Sequence, residues 1–545
     1  MITSFFDGTQ RRLDQLDNAM AEADDYEQWL ELALEHDRLS GAEDWRHNDK
    51  SSLYDYRNLS IRLSNLRQLN KDKDDPGLLF ALNEGIHGNM AGMGNAKLHS
   101  KAKCGTKFLI ENYVSKIEQS LDYLAPIDFP NIPLLERIEF FERASHCYGR
   151  SALMLSGGGT LGYFHLGVVK TLIEHSMLPV VISGASAGSF VSAVVGTRTD
   201  EEYLQLFEDD IVKLALSENN ADLNLGFGKM KDLDMEVVKD GMARLIPDMT
   251  FEEAYKKTGR SINISVSPAE PRQTSRLLNH IASPNVLIRS AVLASTALPG
   301  VFPPVRLEAR NAKGQTQAYL PSRRWIDGSF SQDLPAKRLA RMYGVNHFVV
   351  SQVMPVIGNE KKEKPFLNQL ISDTTVAASK QFVRGSLELL QRQARLGPNM
   401  ATALNAMNAL LDQSYSGDIN IFPNFGVLSL GKILKKLNPA EIAEIIKAGE
   451  RATWPKVATI KTTTKIGRRL DTIMDAYELE QVHWLRSSPG ADVKTAKRAT
   501  TAMKKSGARK PKQPAKNAKR AKSSRSKKQT VAANDSGKRA RAKRA

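Results

Sequence analysis

A serine between glycines is the first place where this chain could do chemistry. Residues 184–188 read Gly-Ala-Ser-Ala-Gly and fit the pattern G-x-S-x-G. They follow the apolar run 178–183, and small residues come after them. A tight turn from strand to helix would hold the Ser186 hydroxyl clear of the sheet, and Gly184 and Gly188 would let the backbone make that turn. The pattern therefore predicts a nucleophilic serine at position 186.

A run of glycines precedes this serine. Residues 157–162 read GGGTLG and fit G-x-G-x-x-G. A dinucleotide site would place an acidic residue about 20 positions further on, after the next strand. That place holds Ile-Ser-Gly at 182–184, without an acid. We therefore favour an oxyanion hole, because glycines bring backbone N–H groups close to a substrate. The predicted loop comprises Gly157, Gly158, Gly159, Thr160 and Gly162, with Gly158 and Gly159 as the expected donors.

A nucleophilic serine needs a base, and Asp327 is the first candidate. It lies in the segment 325–329, Trp-Ile-Asp-Gly-Ser, where bulky residues indicate a strand end and glycine a turn. A second hypothesis is a triad in the chain order Ser186, Asp327, His347. His347 directly precedes an apolar run, where a structural role is expected. His165 follows the glycine loop on a predicted helix and is expected to pack or to support the site.

Together, these three motifs resemble the patatin-like phospholipase family. That family combines a glycine-rich oxyanion loop, a G-x-S-x-G nucleophile and an aspartate in Asp-Gly-Ala or Asp-Gly-Gly, and its serine and aspartate act as a dyad without histidine. The resemblance implies that Ser186 is the nucleophile, that Asp327 is the base and that residues 157–162 form the oxyanion loop. It implies no metal and no cofactor.

The resemblance covers roughly residues 25–480 and favours one subgroup of the family. Four segments are similar to the subgroup that includes yeast and plant triacylglycerol lipases: 78–125, 285–288, 294–302 and 351–353. The sequence departs from the usual patatin pattern at two positions. Leu161 stands where many patatins carry arginine in the loop, and Ser329 replaces the usual alanine or glycine after Gly328.

The resemblance implies hydrolysis of lipid acyl esters through an acyl-enzyme. Ser186 would attack the carbonyl, the glycine loop would stabilise the tetrahedral intermediate, and Asp327 would take the serine proton and later activate water. Triacylglycerol, monoacyl lipid and phospholipid all remain open as substrates. Three alternatives also stay open: a triad esterase, an acyltransferase that uses another lipid as acceptor, and a non-catalytic scaffold that binds lipid or nucleic acid.

The elements that must position these residues alternate between strand and helix. The apolar runs 151–156 and 178–183 each lead into a glycine motif and then into a helical stretch, and 261–268 and 347–353 indicate further buried strands. This order is typical of a parallel sheet with crossover helices. We predict an α/β, three-layer, patatin-like fold with a mainly parallel sheet, flanked by helical N- and C-terminal regions.

Four segments follow from this interpretation: a helical domain at 1–147, the catalytic domain at 148–355, a helical region at 356–485 and a disordered tail at 486–545. Long helices are expected over 365–412. One stripe there faces either the core or a lipid: Met400, Leu404, Met407 and Leu411. Earlier in the chain, apolar residues at three- and four-residue steps over 53–66 predict one face of a helix.

Charge is concentrated at the end of the 545-residue chain, whose formal net charge is +17. Residues 491–545 hold 20 Lys and Arg and two acidic residues, which gives +18 and leaves −1 for the first 490 residues. With three large apolar side chains, this tail cannot bury enough surface to fold, so disorder is expected. A peripheral membrane or lipid-droplet surface is its first expected partner, and nucleic acid or another polyanion is the second.

Composition excludes several other classes of protein. Hydrophobic residues make up 41% and charged residues 25%, as in globular proteins. Cys104 and Cys147 are too few for a disulfide framework and lack the spaced partners of a zinc site. The N-terminus lacks the apolar core of a signal peptide, and no apolar run reaches 18 residues. We expect a cytoplasmic protein whose contact with lipid is peripheral.

Overall fold

The structure is a computed structural model of the chain, and it describes residues 2–209, 211, 235–270, 273–299, 302–329, 334–353, 417–423 and 437–487. The chain divides into two units, Met1–Leu479 and Glu480–Ala545. The elements below belong to the first unit, except that the last helix continues to Ser487. The helices predicted over 365–412, their apolar stripe at 400–411 and the basic tail lie outside the described residues.

Helices make up the N-terminal part of the chain and separate the strands that follow. In chain order they are α1 (Ile2–Glu22), α2 (Tyr26–Leu39), α3 (Ala42–His47), α4 (Tyr56–Asp72), α5 (Asp75–Gly85), α6 (Phe108–Leu124), α7 (Leu134–Tyr148), α8 (Tyr163–Glu174), α9 (Ala187–Gly196), α10 (Asp200–Glu208), α11 (Met235–Leu245), α12 (Phe251–Thr258), α13 (Ile288–Ser295), α14 (Ala336–Tyr343) and α15 (Pro439–Ser487).

The strands are β1 (Arg150–Leu155), β2 (Val181–Gly184), β3 (Ser261–Pro268), β4 (Arg276–Leu278), β5 (Leu307–Arg310), β6 (Thr316–Tyr319), β7 (Trp325–Asp327), β8 (Val345–Ser351) and β9 (Ile419–Ile421). Their order in the main sheet is β4-β3-β2-β1-β8-β9, and β7 also pairs with β3. Strands β3, β2, β1, β8 and β9 are parallel, whereas β4 and β7 run antiparallel to β3. Strands β5 and β6 form a separate hairpin.

The sheet lies between two layers of helices, as its alternating side chains show. On β1, Leu153 and Leu155 pack into the core that α8, α9 and α13 share. Ala152 and Met154 face the other side and pack with Leu339 of α14. A strand that is buried on both faces has apolar side chains at consecutive positions, so its sequence is a continuous apolar run. For this reason the apolar runs in the sequence predicted the strands. The predicted three-layer α/β fold with a mainly parallel sheet is confirmed.

The N-terminal helices begin and end where their capping residues allow. The Asp55 side chain accepts a hydrogen bond from the Asn58 N–H at the start of α4, and Lys73 ends that helix in the left-handed conformation. The Asp74 side chain then caps α5, which has proline in its first turn. On α4, Leu59, Leu63 and Leu66 are buried in the N-terminal core, as their spacing predicted, but Leu53 of the predicted run precedes the helix.

Two elements near the end of the described chain complete the fold. Strand β9 pairs with β8 and extends the sheet into a region where the sequence indicated helices. Helix α15 packs Ile442 and Val457 into the core of the sheet, and Ile466 and Leu470 into the N-terminal core. Among the described helices, none combines the length and the apolar character that crossing a bilayer requires.

Candidate active site

Ser186 lies in a sharp turn between β2 and α9. Its backbone angles are φ 50° and ψ −122°, in a region that residues other than glycine rarely adopt. Three hydrogen bonds hold this turn: the Ser186 N–H donates to Ser295 Oγ (3.0 Å), Ser295 Oγ donates to the Ser265 carbonyl (2.8 Å), and Ser189 Oγ donates to the Ser186 carbonyl (2.6 Å). The strained serine at a strand-to-helix turn is the geometry of a nucleophile elbow.

Glycines let the backbone around this turn approach closely. A Cβ at Gly184 would lie 2.1 Å from the carbonyl oxygen of Gly188. A Cβ at Gly188 would lie 2.2 Å from the carbonyl oxygen of Leu155, at the end of β1. A Cβ at Gly162 would lie 2.5 Å from the Cβ of Ala187. The serine turn, the end of β1 and the glycine loop are therefore packed together without room for side chains.

The glycine loop begins beside the serine turn because β1 and β2 end side by side. Leu155 at the end of β1 pairs with Gly184 at the end of β2. The loop then enters a short 3₁₀ turn, Gly159–Gly162, that leads into α8. Gly159 has a φ of 56°, which favours glycine. At Gly158, packing leaves no room for a side chain, because a Cβ would lie 2.0 Å from Val353 Cγ2.

Buried polar groups tie the start of this loop to the end of β8. Ser156 Oγ donates to the Gly157 carbonyl (3.0 Å) and accepts from the Val353 N–H (3.1 Å). His165 on α8 places Nε2 3.0 Å from the Ser156 carbonyl and Nδ1 2.7 Å from Ser351 Oγ. Burial lowers the pKa of His165 to about 4, so the imidazole is neutral. A neutral ring that donates from Nε2 must accept the Ser351 hydroxyl at Nδ1.

Asp327 ends β7 and is 1% exposed. Its Oδ1 accepts two hydrogen bonds from Ser329, one from the backbone N–H (2.9 Å) and one from Oγ (2.7 Å). Burial raises the pKa of Asp327 from its ordinary value of 3.8 to about 6, and hydrogen bonds from Ser329 and from the Ser186 side chain oppose that rise. The structure thus brings the Asp327 carboxyl and the Ser186 hydroxyl together.

The turn after Asp327 leaves no room for a side chain at its centre. A Cβ at Gly328 would lie 2.3 Å from the carbonyl carbon and oxygen of Ser265. The Asp327 N–H donates to the Ala297 carbonyl (3.0 Å), and β7 pairs Asp327 with Val266 of β3. These contacts fix the Asp327 backbone against β3. The same strand accepts the hydrogen bond from Ser295 Oγ, which in turn accepts the Ser186 N–H.

His347 lies at the other end of the sheet. It is part of β8, four residues before Ser351, and its Nδ1 is 3.1 Å from the hydroxyl of Ser151 at the start of β1. Four residues of strand span about 13 Å, so the imidazole is far from the edge at which Ser186 lies. The structure therefore does not bring His347 into the site, and the geometry speaks against the triad hypothesis.

Sequence reasoning missed the hydrogen bonds that support the candidate residues. Ser295 and Ser351 act on residues 109 and 186 positions away in the chain, and the Ser329 hydroxyl acts on Asp327, two positions before it. The sequence motifs do not show that these hydroxyls form hydrogen bonds. Within the described residues, no group of three or more His, Cys, Asp or Glu side chains could hold a metal ion. Cys104 and Cys147 are free thiols in the helical N-terminal part.

Comparison with known proteins places this chain in a family. Residues 153–340 match the family described as patatin-like phospholipase, and residues 6–146 match a domain of unknown function, DUF3336. Triacylglycerol lipase ptl3 of Schizosaccharomyces pombe is 32% identical over 461 residues, which cover 80% of this chain and 92% of that protein. The chain belongs to the patatin-like phospholipase family, as the motifs predicted.

Two further relatives are longer than this chain. Triacylglycerol lipase 4 of Saccharomyces cerevisiae is 33% identical over 82% of this chain and 52% of its own length. Triacylglycerol lipase SDP1L of Arabidopsis thaliana is 31% identical over 83% of this chain and 57% of its own length. The chain thus spans little more than half of these two proteins. Their names agree with the predicted class of enzyme, an ester hydrolase.

Proposed function

We propose that the protein hydrolyses acyl esters of lipids, as a triacylglycerol lipase or phospholipase, and that Ser186 and Asp327 form its catalytic dyad. The observation that carries this proposal is that the Ser186 side chain lies close enough to the buried carboxyl of Asp327 to lower its pKa. The names of the relatives, which are triacylglycerol lipases, support the substrate class.

Asp327 is suited to act as the base. An ordinary aspartate is a weak base for a hydroxyl, because its pKa lies near 4. Burial raises the pKa of Asp327 to about 6, which increases its basicity and still leaves it ionised at neutral pH. In the proposed reaction, the Asp327 carboxylate takes the Ser186 proton as Oγ attacks the ester carbonyl. After the alcohol leaves, the same carboxylate takes a proton from the water that releases the acyl group.

Backbone N–H groups of the glycine loop stabilise the oxyanion in this proposal. Leu161 is buried in the core, so the loop supplies no charged side chain at that position. The Ser186 N–H is engaged by Ser295 Oγ and does not contribute. The donors are therefore Gly158 and Gly159, and the N-terminus of α9, which begins one residue after Ser186, adds partial positive charge.

The proposed reaction takes place at a lipid surface, because long-chain acylglycerols do not dissolve in water as single molecules. We propose that the protein acts in the cytoplasm and reaches such a surface peripherally. The basic segment 491–545, with its charge of +18, is the proposed anchor to anionic lipid, and nucleic acid is the second candidate for that segment.

Three substitutions test the dyad. Ser186→Ala should abolish both the hydrolysis of a triacylglycerol emulsion and covalent labelling by a fluorophosphonate, because Oγ is the group that reacts. Asp327→Asn should lower kcat by several orders of magnitude, since it removes the base, whereas His347→Ala should leave kcat nearly unchanged. Ser192→Ala is the matched control, because Ser192 is a buried serine of α9 whose hydroxyl has no partner among the described residues.

Turnover and labelling at the wild-type level in Ser186→Ala, with the protein folded, would refute the assignment of the nucleophile. Loss of activity in His347→Ala together with a milder effect of Asp327→Asn would refute the dyad and restore the triad.

A further inference from the structure

Ser329 makes two contacts with one oxygen of Asp327. Its backbone N–H lies 2.9 Å and its Oγ lies 2.7 Å from Asp327 Oδ1. Both residues are 1% exposed, so water does not compete for these hydrogen bonds. A glycine or alanine at position 329 would keep the N–H and lose the hydroxyl. The second donor is therefore a property of the serine in this chain.

The two hydrogen bonds from Ser329 occupy both acceptor sites of Asp327 Oδ1. A carboxylate oxygen has two lone-pair sites, and here both receive a hydrogen from the same residue. The other oxygen, Oδ2, retains the sites at which a proton can be accepted. The backbone of Asp327 is fixed by its N–H bond to Ala297 and by the absence of space at Gly328. Rotation of the carboxylate about its side-chain bonds is then limited by the two hydrogen bonds from Ser329, of which the hydroxyl is the one that a substitution can remove.

We propose that Ser329 is a positioning residue that holds Asp327 Oδ1, so that Oδ2 faces Ser186 and takes its proton. This inference rests on the proposed dyad. Because the Ser329 O–H donates to the charged carboxylate, it also favours ionisation, as the direction of its effect on the Asp327 pKa indicates. Without the hydroxyl, the carboxylate should turn more freely and should ionise at higher pH.

Ser329→Ala tests both consequences on a soluble short-chain ester. We expect kcat to fall about ten-fold or more, the usual effect of losing a hydrogen bond to a charged group, while KM stays unchanged. We also expect the acidic limb of the pH profile of kcat/KM to move up by about half a unit to one unit. Ser329→Thr keeps a hydroxyl and should restore the position of that limb. Ser192→Ala, which removes a buried hydroxyl away from Asp327, should change neither quantity.

The outcomes separate the possible failures. A wild-type kcat and an unmoved acidic limb in Ser329→Ala would overturn the proposal. A lower melting temperature with an unmoved acidic limb would also overturn it, because the hydroxyl would then serve stability alone. The proposed function fails separately, if Ser186→Ala retains full turnover in the same assay.

Discussion

At Asp327, burial and hydrogen bonding act on the same carboxyl in opposite directions. Burial disfavours the charged form and raises the pKa to about 6, while donors from Ser329 and Ser186 favour the charged form. A base that is desolvated but still ionised is what a serine needs in a dyad without histidine. Burial would destabilise an ordinary ionised aspartate, and the same burial suits Asp327 to its proposed role as the base.

This environment predicts how activity depends on pH. The Asp327 carboxyl must be ionised to accept a proton, so kcat/KM for a soluble ester should rise through about pH 6 and reach a plateau above it. The pH profile of the wild-type enzyme checks this expectation. An acidic limb centred near pH 4, the range of an exposed carboxylate, would contradict it.

The same shift predicts how stability depends on pH. Between about pH 4 and pH 6 the unfolded chain has released the Asp327 proton while the folded protein keeps it, so the free energy of unfolding falls as pH rises. Asp327→Asn removes this effect, which is on the order of 3 kcal/mol above pH 6. The melting temperature of the variant should exceed that of the wild type at pH 8, and the difference should vanish below pH 4. A difference that does not vary with pH would refute this account.

Single residues could be found from the sequence where a motif contains them. Ser186 and Asp327 each lie in a short pattern with glycine neighbours, and those glycines are required by contacts of 2.1–2.3 Å that any Cβ would make. Ser295 and Ser351 could not be found in this way. Their partners, Ser186 and His165, lie 109 and 186 residues away in the chain, and only the folded sheet brings these residues together.

At the scale of elements, strands were predictable where an apolar run had a clear end. Strand β3 occupies the predicted range 261–268, and β1 and β2 lead into the glycine motifs as expected. The antiparallel pairing of β7 with β3 and the three-residue strand β9 were not predictable. A strand of three residues has no measurable periodicity, and its partner is decided by tertiary contacts.

The glycine loop offers a test of why its second glycine is needed. Gly158→Ala should lower kcat about 100-fold or more, because the new Cβ would lie 2.0 Å from Val353 Cγ2 and would displace the loop that supplies the oxyanion donors. Val353→Ala removes that methyl group. The double variant Gly158→Ala/Val353→Ala should therefore recover much of the lost kcat, measured with a soluble ester.

Val353→Ala alone is the control for this test, and it should lose stability with little loss of kcat, since it leaves a small cavity in the core. If the double variant is as slow as Gly158→Ala, the Cβ interferes with the oxyanion site itself and the packing explanation is wrong.

At the scale of the whole molecule, helix α15 packs into two hydrophobic cores. Helix α15 contributes Ile442 and Val457 to the core of the sheet, and Ile466 and Leu470 to the core of the N-terminal helices. Arg150 at the start of β1 also forms an ion pair with Asp471 of α15 (2.8 Å). The sequence predicted the two helical regions as separate segments, because a periodic pattern shows which face is apolar and not which element covers it.

The distribution of charge in the whole chain predicts a separation between catalysis and anchoring. Residues 491–545 carry +18, whereas the first 490 residues carry −1. Each basic residue close to an anionic bilayer contributes on the order of 1 kcal/mol, and this attraction decays within a Debye length. A variant that ends at Gly490 should keep wild-type kcat and KM on a soluble short-chain ester, because the residues of the proposed site all precede position 490. It should bind vesicles that contain phosphatidylserine more weakly than the full chain.

Salt and lipid composition supply the controls for this last prediction. The full chain should lose its binding to phosphatidylserine vesicles as ionic strength rises, and it should bind vesicles of neutral phosphatidylcholine no better than the truncated variant does. Duplex DNA should compete with the vesicles if the segment recognises polyanions in general, since phosphates attract the same charges. Equal binding of both forms to anionic vesicles at low salt would exclude the basic segment as the anchor. The surface that meets the lipid would then lie within residues 1–490, on the same part of the chain as Ser186.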